Sequence, residues 1–254
     1  MRRIPEAARR PFRAFFMALG MFTAIPCPYS PWDDGARELM LVALPAVGAV
    51  IGLLWAALSW IGNTYLPAIG SALIVALPWL LTGFIHLDGY MDTCDALLSW
   101  RPLEKRLEIL KDSHTGAFAV VGMVLLALIG YDAAATVGAK AGFDLRTLIF
   151  IPIVSRCGSA FCVLTLRPIG HSEYAGMEGR MRHRLAVVVI WLLTIIICAN
   201  WLGDRVIPLL VETVAYAAAM AWANRACKGV SGDLAGFALT VSECAALVAL
   251  ASVH

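Results

Sequence analysis

Charged residues are scarce in this chain of 254 residues: Asp, Glu, Lys and Arg make up 15% of it, against about a quarter in average soluble domains. Hydrophobic residues make up 60%, and they come in long blocks. This composition excludes an ordinary soluble domain and is typical of a polytopic helical membrane protein. We therefore expect the lipid bilayer as a partner, and the net charge of only +2 gives no reason to expect a nucleic acid.

Closely paired cysteines are also missing. The seven cysteines are scattered and none forms a CxxC pair, so we expect neither a zinc site nor disulfides. We find no internal repeat and no low-complexity linker, which favours a single integral membrane domain over residues 1–254. The five arginines before residue 14 argue against a cleaved signal peptide. They favour a membrane-surface helix over Phe12 to Met21.

Seven apolar segments each approach the ~20 residues that a helix needs to cross a bilayer. The fold class predicted is all-α, a transmembrane helical bundle of about seven spans plus the N-terminal surface helix. Gly48 and Gly52 are four residues apart, a spacing that favours close helix packing in membranes. The predicted spans are 38–60, 66–84, 117–136, 147–166, 185–202, 206–224 and 234–253.

The basic residues indicate an orientation. Fifteen of the 20 Lys and Arg lie in one set of alternating segments and three in the other. The rule that basic loops stay inside places the N-terminus and the richer set in the cytoplasm. That side then carries three candidate site loops, 84–116, 167–184 and 225–236. The richer set comprises 1–36, 85–116, 167–184 and 225–233; the poorer set comprises 61–65, 137–146 and 203–205.

The most informative stretch is Phe84 to Asp95, which follows the second apolar segment. In a helix, Asp88, Asp92 and Asp95 would lie on one face, about a turn apart. Carboxylates this close repel one another unless a cation lies between them. Oxygen ligands suit Mg²⁺, Mn²⁺ or Ca²⁺, and Mg²⁺ commonly adds substrate phosphates to one or two carboxylates. The cluster therefore predicts a diphosphate-binding metal site; the alternative is a solvated acidic helix end.

Two further polar features support this hypothesis. In the hexapeptide 111–116, Lys111 could meet phosphate, Asp112 a metal ion, and His114 could donate or accept a proton. The alternative is simple capping of the next helix. Arg156 lies inside the fourth apolar segment, where an arginine should face the bundle interior. It could bind phosphate through its two-pronged guanidinium or form a structural ion pair with an acid.

These motifs together resemble the cobalamin-5′-phosphate synthase family of adenosylcobinamide-GDP ribazoletransferases. The resemblance covers roughly residues 14 to 250. Three positions depart from the family pattern, which usually has Gly at Ala96, often Arg at His114 and usually Thr at Ser231, and the region 167–184 is shortened. The matching stretches are 83–95, 111–116, 155–156 and 231–236, with weaker matches at 25–28 and 45–48.

The resemblance implies a Mg²⁺-dependent phosphoryl transfer in the bacterial inner membrane. The hydroxyl of α-ribazole, or of its 5′-phosphate, would attack adenosylcobinamide-GDP and release GMP. The implied metal ligands are Asp88, Asp92 and Asp112. The implied acid–base candidates are Asp95, His86 and His114. The implied substrate-binding residues are Lys111, Ser113, Arg156 and Asp233. The sequence does not determine the oligomeric state, and a homo-oligomer is one of the states it allows.

Two other functions remain as alternatives. A CDP-alcohol phosphotransferase-like lipid enzyme also clusters Asp around a metal, but its pattern expects an Ala-Arg pair shortly after Asp-Gly. Here Tyr90-Met91-Asp92 follows Asp88-Gly89. A cation transporter would spread acids through several spans near the bilayer centre. Only Glu212 and Glu243 lie well within predicted spans.

Overall fold

The computed structural model describes residues 6–27, 29, 32–139, 144–169 and 181–253, with side chains from residue 10 onward. Within these ranges the protein is all-helical, apart from one isolated β-bridge. Two short 3-10 turns, Asp34–Ala36 and Gly203–Val206, precede α2 and α9. The ten α-helices are α1 (Glu6–Phe22), α2 (Arg37–Tyr65), α3 (Pro67–Leu81), α4 (Ile85–Leu98), α5 (Leu103–Ile109), α6 (Ala117–Ala139), α7 (Thr147–Val163), α8 (Met181–Leu202), α9 (Ile207–Cys227) and α10 (Gly232–Ser252).

Every predicted span coincides with a helix, but the count of about seven spans is not confirmed. Among the described residues, four stretches are long and apolar enough to cross a membrane, or five if α3 and α4 form one bent span. One stretch contains both α8 and α9, which fold back on each other through a 3.1 Å hydrogen bond from Trp191 Nε1 to Thr213 Oγ1. Helix α7, with 17 residues, is shorter than any of these four stretches. The four stretches are Asp34–Tyr65, Ala117–Ala139, Met181–Cys227 and Gly232–Ser252.

The N-terminal helix predicted over 12–21 is present and longer than expected, as α1. One face is buried by packing against α2 and carries Ala14, Met17 and Ala18, whereas Phe12 is exposed. Arg13 also forms an ion pair with Asp33 (3.2 Å) just before α2. The two-sided pattern fits a helix lying at a surface. Its position at the membrane surface stays a prediction.

The close packing expected at the paired glycines is confirmed. A Cβ atom on Gly48 would collide with the backbone carbonyl of Pro152, and one on Gly52 with that of Ile149. Helices α2 and α7 therefore touch backbone to backbone, which only residues without a side chain permit.

We expect Gly48→Ala and Gly52→Ala each to destabilise the purified protein by about 1–3 kcal/mol or more, because the obstructing atoms are backbone and cannot rotate away. Thermal unfolding in detergent is the measurement. Gly20→Ala in α1 is the matched control, since nothing lies within 4 Å of its added methyl group. Unchanged unfolding of both α2 variants would contradict the contact.

A sharp break separates α3 from α4. The two helices meet at 93°, and both Gly83 (φ 60°) and Phe84 (φ 64°) at the break have left-handed backbone conformations. That conformation is unusual for a bulky residue such as Phe84, and such strain concentrates at functional sites. The acidic motif therefore occupies a helix of its own, turned away from the apolar helix before it.

Helix α4 is held on two sides. Its Tyr90 hydroxyl donates to the Gly122 carbonyl of α6 (2.9 Å), and its ring stacks on Phe237 of α10 with centroids 5.7 Å apart. Thr240 of α10 donates to the His86 carbonyl (3.3 Å). These contacts fix which face of α4 meets the neighbouring helices, and thus where its aspartates point.

Candidate active site

Three aspartates from two distant parts of the chain meet where α4 crosses the start of α10. The helices touch at Gly89, where a Cβ atom would lie only 2.7 Å from the Asp233 Cα. The Asp92 carboxylate is repelled by those of Asp88 and Asp233, and less strongly by that of Asp95. The structure therefore brings two predicted metal ligands together with one predicted substrate-binding residue.

The start of α10 is shaped to present Asp233. Lys228 ends α9 in a left-handed conformation (φ 59°), and Ser231 caps α10 by accepting from the Leu234 amide (3.3 Å). Between them, Val230 pairs with the segment after α7, since its amide donates to the Arg167 carbonyl (2.9 Å). The positive end of the helix dipole thus lies at the acidic cluster and favours anions there.

A cavity of about 450 Å³ opens beside this cluster. Its polar wall includes His86, Ser159, Ser231 and Asp233. The apolar wall was not predictable from the sequence, because its residues resemble the other residues of apolar helices and only packing brings them together. The apolar wall comprises Met21, Phe22, Ile85, Leu41, Leu44, Val163, Ala235 and Leu239.

His86 lies in the wall of the cavity near Asp233. Its ring is 6.3 Å from the ring of Phe22 in α1. His86 therefore shares a cavity wall with Asp233, and its acid–base role stays a prediction.

Asp95 has a different environment from the other two aspartates of the motif. Its side chain is buried, and its oxygens accept from the amides of Gly116 (2.6 Å) and Ala119 (2.9 Å). These amides lie at the start of α6 and have no partner within that helix. Both oxygens of Asp95 therefore cap α6. The predicted acid–base role of Asp95 stays a prediction.

We expect Asp95→Ala to destabilise the protein by about 1–2 kcal/mol, the usual loss when a helix cap is removed. The measurement is thermal unfolding in detergent, with Glu104→Ala on the exposed face of α5 as control. If Asp95→Ala unfolded normally but lost turnover, the capping role would be wrong and the predicted acid–base role would be supported.

The hexapeptide loop is exposed at Lys111, Asp112, Ser113 and His114. Asp112 accepts from the backbone amide of His114 (3.1 Å) and pairs with its Nδ1 (2.6 Å). The hydrogen bond between them raises the pKa of His114 and lowers the pKa of Asp112. In the described part of the chain, no hydrogen bond or ion pair joins these four side chains to the aspartates of α4. Their predicted roles remain predictions.

Arg156 lies inside the bundle and does not line the cavity. The residue is 1% exposed, and its guanidinium pairs through Nη1 with Glu243 of α10. The same Nη1 donates to Ser155 (3.0 Å), whose hydroxyl donates in turn to Glu243 (2.8 Å). The structure therefore favours the ion-pair alternative over phosphate binding.

The third predicted site loop, 167–184, lies mostly outside the described residues, because 170–180 are not described. At its far end, His183 pairs with Glu38 of α2 (3.2 Å). The loop 225–236 is described throughout and contributes Ser231 and Asp233 to the site.

Comparison with known proteins decides the family. The family model for cobalamin-5-phosphate synthase matches residues 14–251. The chain belongs to the cobalamin-5-phosphate synthase family. It is therefore an enzyme, and the family match includes every candidate site residue named above. No solved structure matches the chain.

Curated relatives in the cobalamin-5-phosphate synthase family have nearly the same length. An adenosylcobinamide-GDP ribazoletransferase of Clostridium perfringens (strain SM101 / Type A) is 37% identical over 238 residues, 91% of this chain and 94% of that protein. One of Clostridium botulinum (strain Alaska E43 / Type E3) is 35% identical over 91% of this chain and 94% of its own. One of Geotalea daltonii is 31% identical over 95% of this chain and 98% of its own.

Proposed function

We propose that this chain is an adenosylcobinamide-GDP ribazoletransferase. The hydroxyl of α-ribazole, or of its 5′-phosphate, attacks the phosphorus on the cobinamide side of adenosylcobinamide-GDP. The bond from that phosphorus to the GMP oxygen breaks, and GMP leaves. The observation that carries the proposal is the meeting of Asp88, Asp92 and Asp233 beside a cavity, in a chain whose relatives bear this name.

The aspartates fit a magnesium ion that is completed by substrate. No group of three or more His, Cys, Asp or Glu side chains in the described residues is arranged to hold an ion alone. Mg²⁺ usually takes one or two carboxylates and fills its shell with phosphates and water. Asp88 and Asp92 would hold it, and when bound it neutralises charge on the diphosphate. Asp112, predicted as a third ligand, pairs with His114 in an exposed loop, and its role as a ligand stays a prediction.

The remaining residues suit positioning and electrostatic stabilisation, which account for most of the catalysis in phosphoryl transfer. His86 lies in the cavity wall, where its neutral ring can orient the attacking hydroxyl by accepting its hydrogen bond. The start of α10 offers its dipole to a phosphate. The apolar wall of the cavity suits a nonpolar ring of the acceptor. The exposed Lys111 would meet the phosphate of the leaving GMP.

The direct test is an assay with the purified protein in detergent. Adenosylcobinamide-GDP, α-ribazole and Mg²⁺ should give equal amounts of GMP and a cobalamin, read by chromatography and mass. Omission of α-ribazole or chelation of Mg²⁺ should abolish both products. Release of GMP without acceptor would indicate a hydrolase and overturn the proposal. α-Ribazole 5′-phosphate in a parallel reaction identifies the preferred acceptor.

The same preparation tests the two alternatives. A lipid enzyme of the CDP-alcohol phosphotransferase type would release CMP from CDP-diacylglycerol and an alcohol. A cation transporter would move ions across liposomes without consuming a nucleotide. Neither alternative has a relative among the proteins compared above.

We further propose a multi-pass protein of the bacterial inner membrane with about seven spans and a cytoplasmic N-terminus. The charge asymmetry between alternating segments supports this topology. Reporter fusions after Leu103 should give a cytoplasmic signal, and fusions after Asn63 an external one. The reverse pair of signals would contradict the topology and place the acidic cluster outside.

A further inference from the structure

A second group of ionisable side chains lies inside the bundle, away from the candidate active site. Arg156 of α7, Glu212 of α9 and Glu243 of α10 are 1%, 0% and 7% exposed. Arg156 and Glu243 are bound to each other directly and through Ser155. The function proposed above uses none of these side chains.

Glu212 differs from the other two because it lacks hydrogen bonds. Neither of its carboxylate oxygens has a hydrogen-bond partner in the described part of the chain, although the Ser155 amide approaches it. The Nη2 atom of Arg156 is likewise buried and without a partner. A buried polar group without a partner is rare and calls for an occupant or a change of charge.

The charges of the group do not balance if both acids are ionised. Arg156 supplies one positive charge against two carboxylates, leaving a net charge of −1 in an apolar interior. An uncompensated buried charge costs several kcal/mol or more. A bridging water could satisfy the open hydrogen bonds but would not cancel the charge, so one further positive charge is required.

The neighbours of Glu212 do not provide that charge. On α10, Glu243 repels Glu212. On α7, Arg156 is already paired with Glu243, and Cys157 carries only a neutral thiol near Glu212. On α9 itself, the Tyr216 hydroxyl is bonded to Ser159 (3.2 Å). From α4, His86 approaches Arg156 rather than Glu212, and the guanidinium repels a second cation there.

We propose that Glu212 binds a proton and is held as a neutral carboxylic acid, which makes this group a proton-binding site in the bundle interior. With Glu212 neutral, Arg156 and Glu243 cancel each other and the group carries no net charge. The Nη2 atom of Arg156 has no partner among the described residues and could donate to a second carboxylate. If Glu243 is removed, Glu212 can release its proton and become the counterion of Arg156.

The test is infrared spectroscopy of the purified full-length protein in detergent at neutral pH. The wild type should show the carbonyl stretch of a protonated carboxyl group, distinct from amide and carboxylate bands and shifted in D₂O. Glu212→Gln should lack this band and retain the fold, because an amide has nearly the shape and charge of the neutral acid. Glu243→Gln should also lack the band, since Glu212 then ionises to pair with Arg156.

Thermal unfolding provides an independent check. Each single variant should unfold within a few degrees of the wild type, whereas Glu212→Gln with Glu243→Gln should lose on the order of 10 °C, since Arg156 then has no counterion. If Glu212→Gln yields no folded protein, Glu212→Asp should retain the band at a shifted position.

Two results would overturn the proposal. The first is the absence of any protonated-carboxyl band that depends on residue 212, which would mean that Glu212 is ionised. The second is stabilisation of the wild type by NaCl over choline chloride that disappears in Glu212→Gln, which would mean that a sodium ion supplies the missing charge. The proposal does not depend on the identity of the substrates.

Discussion

Asp88→Asn and Asp92→Asn should each lower turnover by on the order of 10²-fold or more, because each keeps the shape of the side chain but removes a charged metal ligand. The structure strengthens this prediction, since both residues lie with Asp233 at the crossing of α4 and α10. Both variants should fold, because removal of one of several crowded negative charges relieves repulsion.

The measurement is GMP release per folded molecule as a function of Mg²⁺ concentration. Glu104→Gln is the control, since it removes an exposed acid of α5 from the same region of the protein. It should behave as the wild type. Near-normal turnover of both aspartate variants at limiting Mg²⁺ would show that the metal binds elsewhere.

Arg156→Ala should destabilise the protein by about 3–5 kcal/mol, because it leaves Glu243 buried without its partner. Thermal unfolding in detergent is the measurement. Replacing both partners, as Arg156→Met with Glu243→Leu, should restore most of the lost stability, since a buried ion pair can usually be exchanged for apolar residues.

Activity of the double variant then separates the two roles considered for Arg156. Full turnover per folded molecule would mean that the pair only joins α7 to α10. A stable double variant without turnover would return Arg156 to substrate binding, against the geometry described here. The single variant cannot separate these roles, because instability alone lowers its activity.

The motif around Asp88 illustrates how far the sequence could be interpreted. Helical spacing predicted that its three aspartates share a face, and they do share one helix. The different contacts of the three aspartates were not predictable, because they depend on the start of α6, where the amides of Gly116 and Ala119 donate to Asp95. The third member of the acidic group, Asp233, comes from α10, which is distant in the chain and begins at Gly232.

The partner of Arg156 was also not predictable from the sequence. Residue type and position predicted that a buried anion would be near, and the sequence offered both Glu212 and Glu243. Only the packing of α7 on α10 decided that Glu243 forms the ion pair and that Glu212 stays without one. The apolar wall of the cavity was not predictable either, because Leu41 and Leu44 resemble the other apolar residues of α2 in the sequence.

By itself, the sequence determined the helical class, the positions of the apolar helices, the close contact at Gly48 and Gly52, and the family. These properties depend on composition, local spacing and short motifs. Tertiary structure alone decided the break before α4, the cavity, and which polar side chains meet. The reason is physical: lipid and the bundle interior are both apolar, so a membrane helix is apolar on every face and its periodicity does not indicate which face contacts its neighbours.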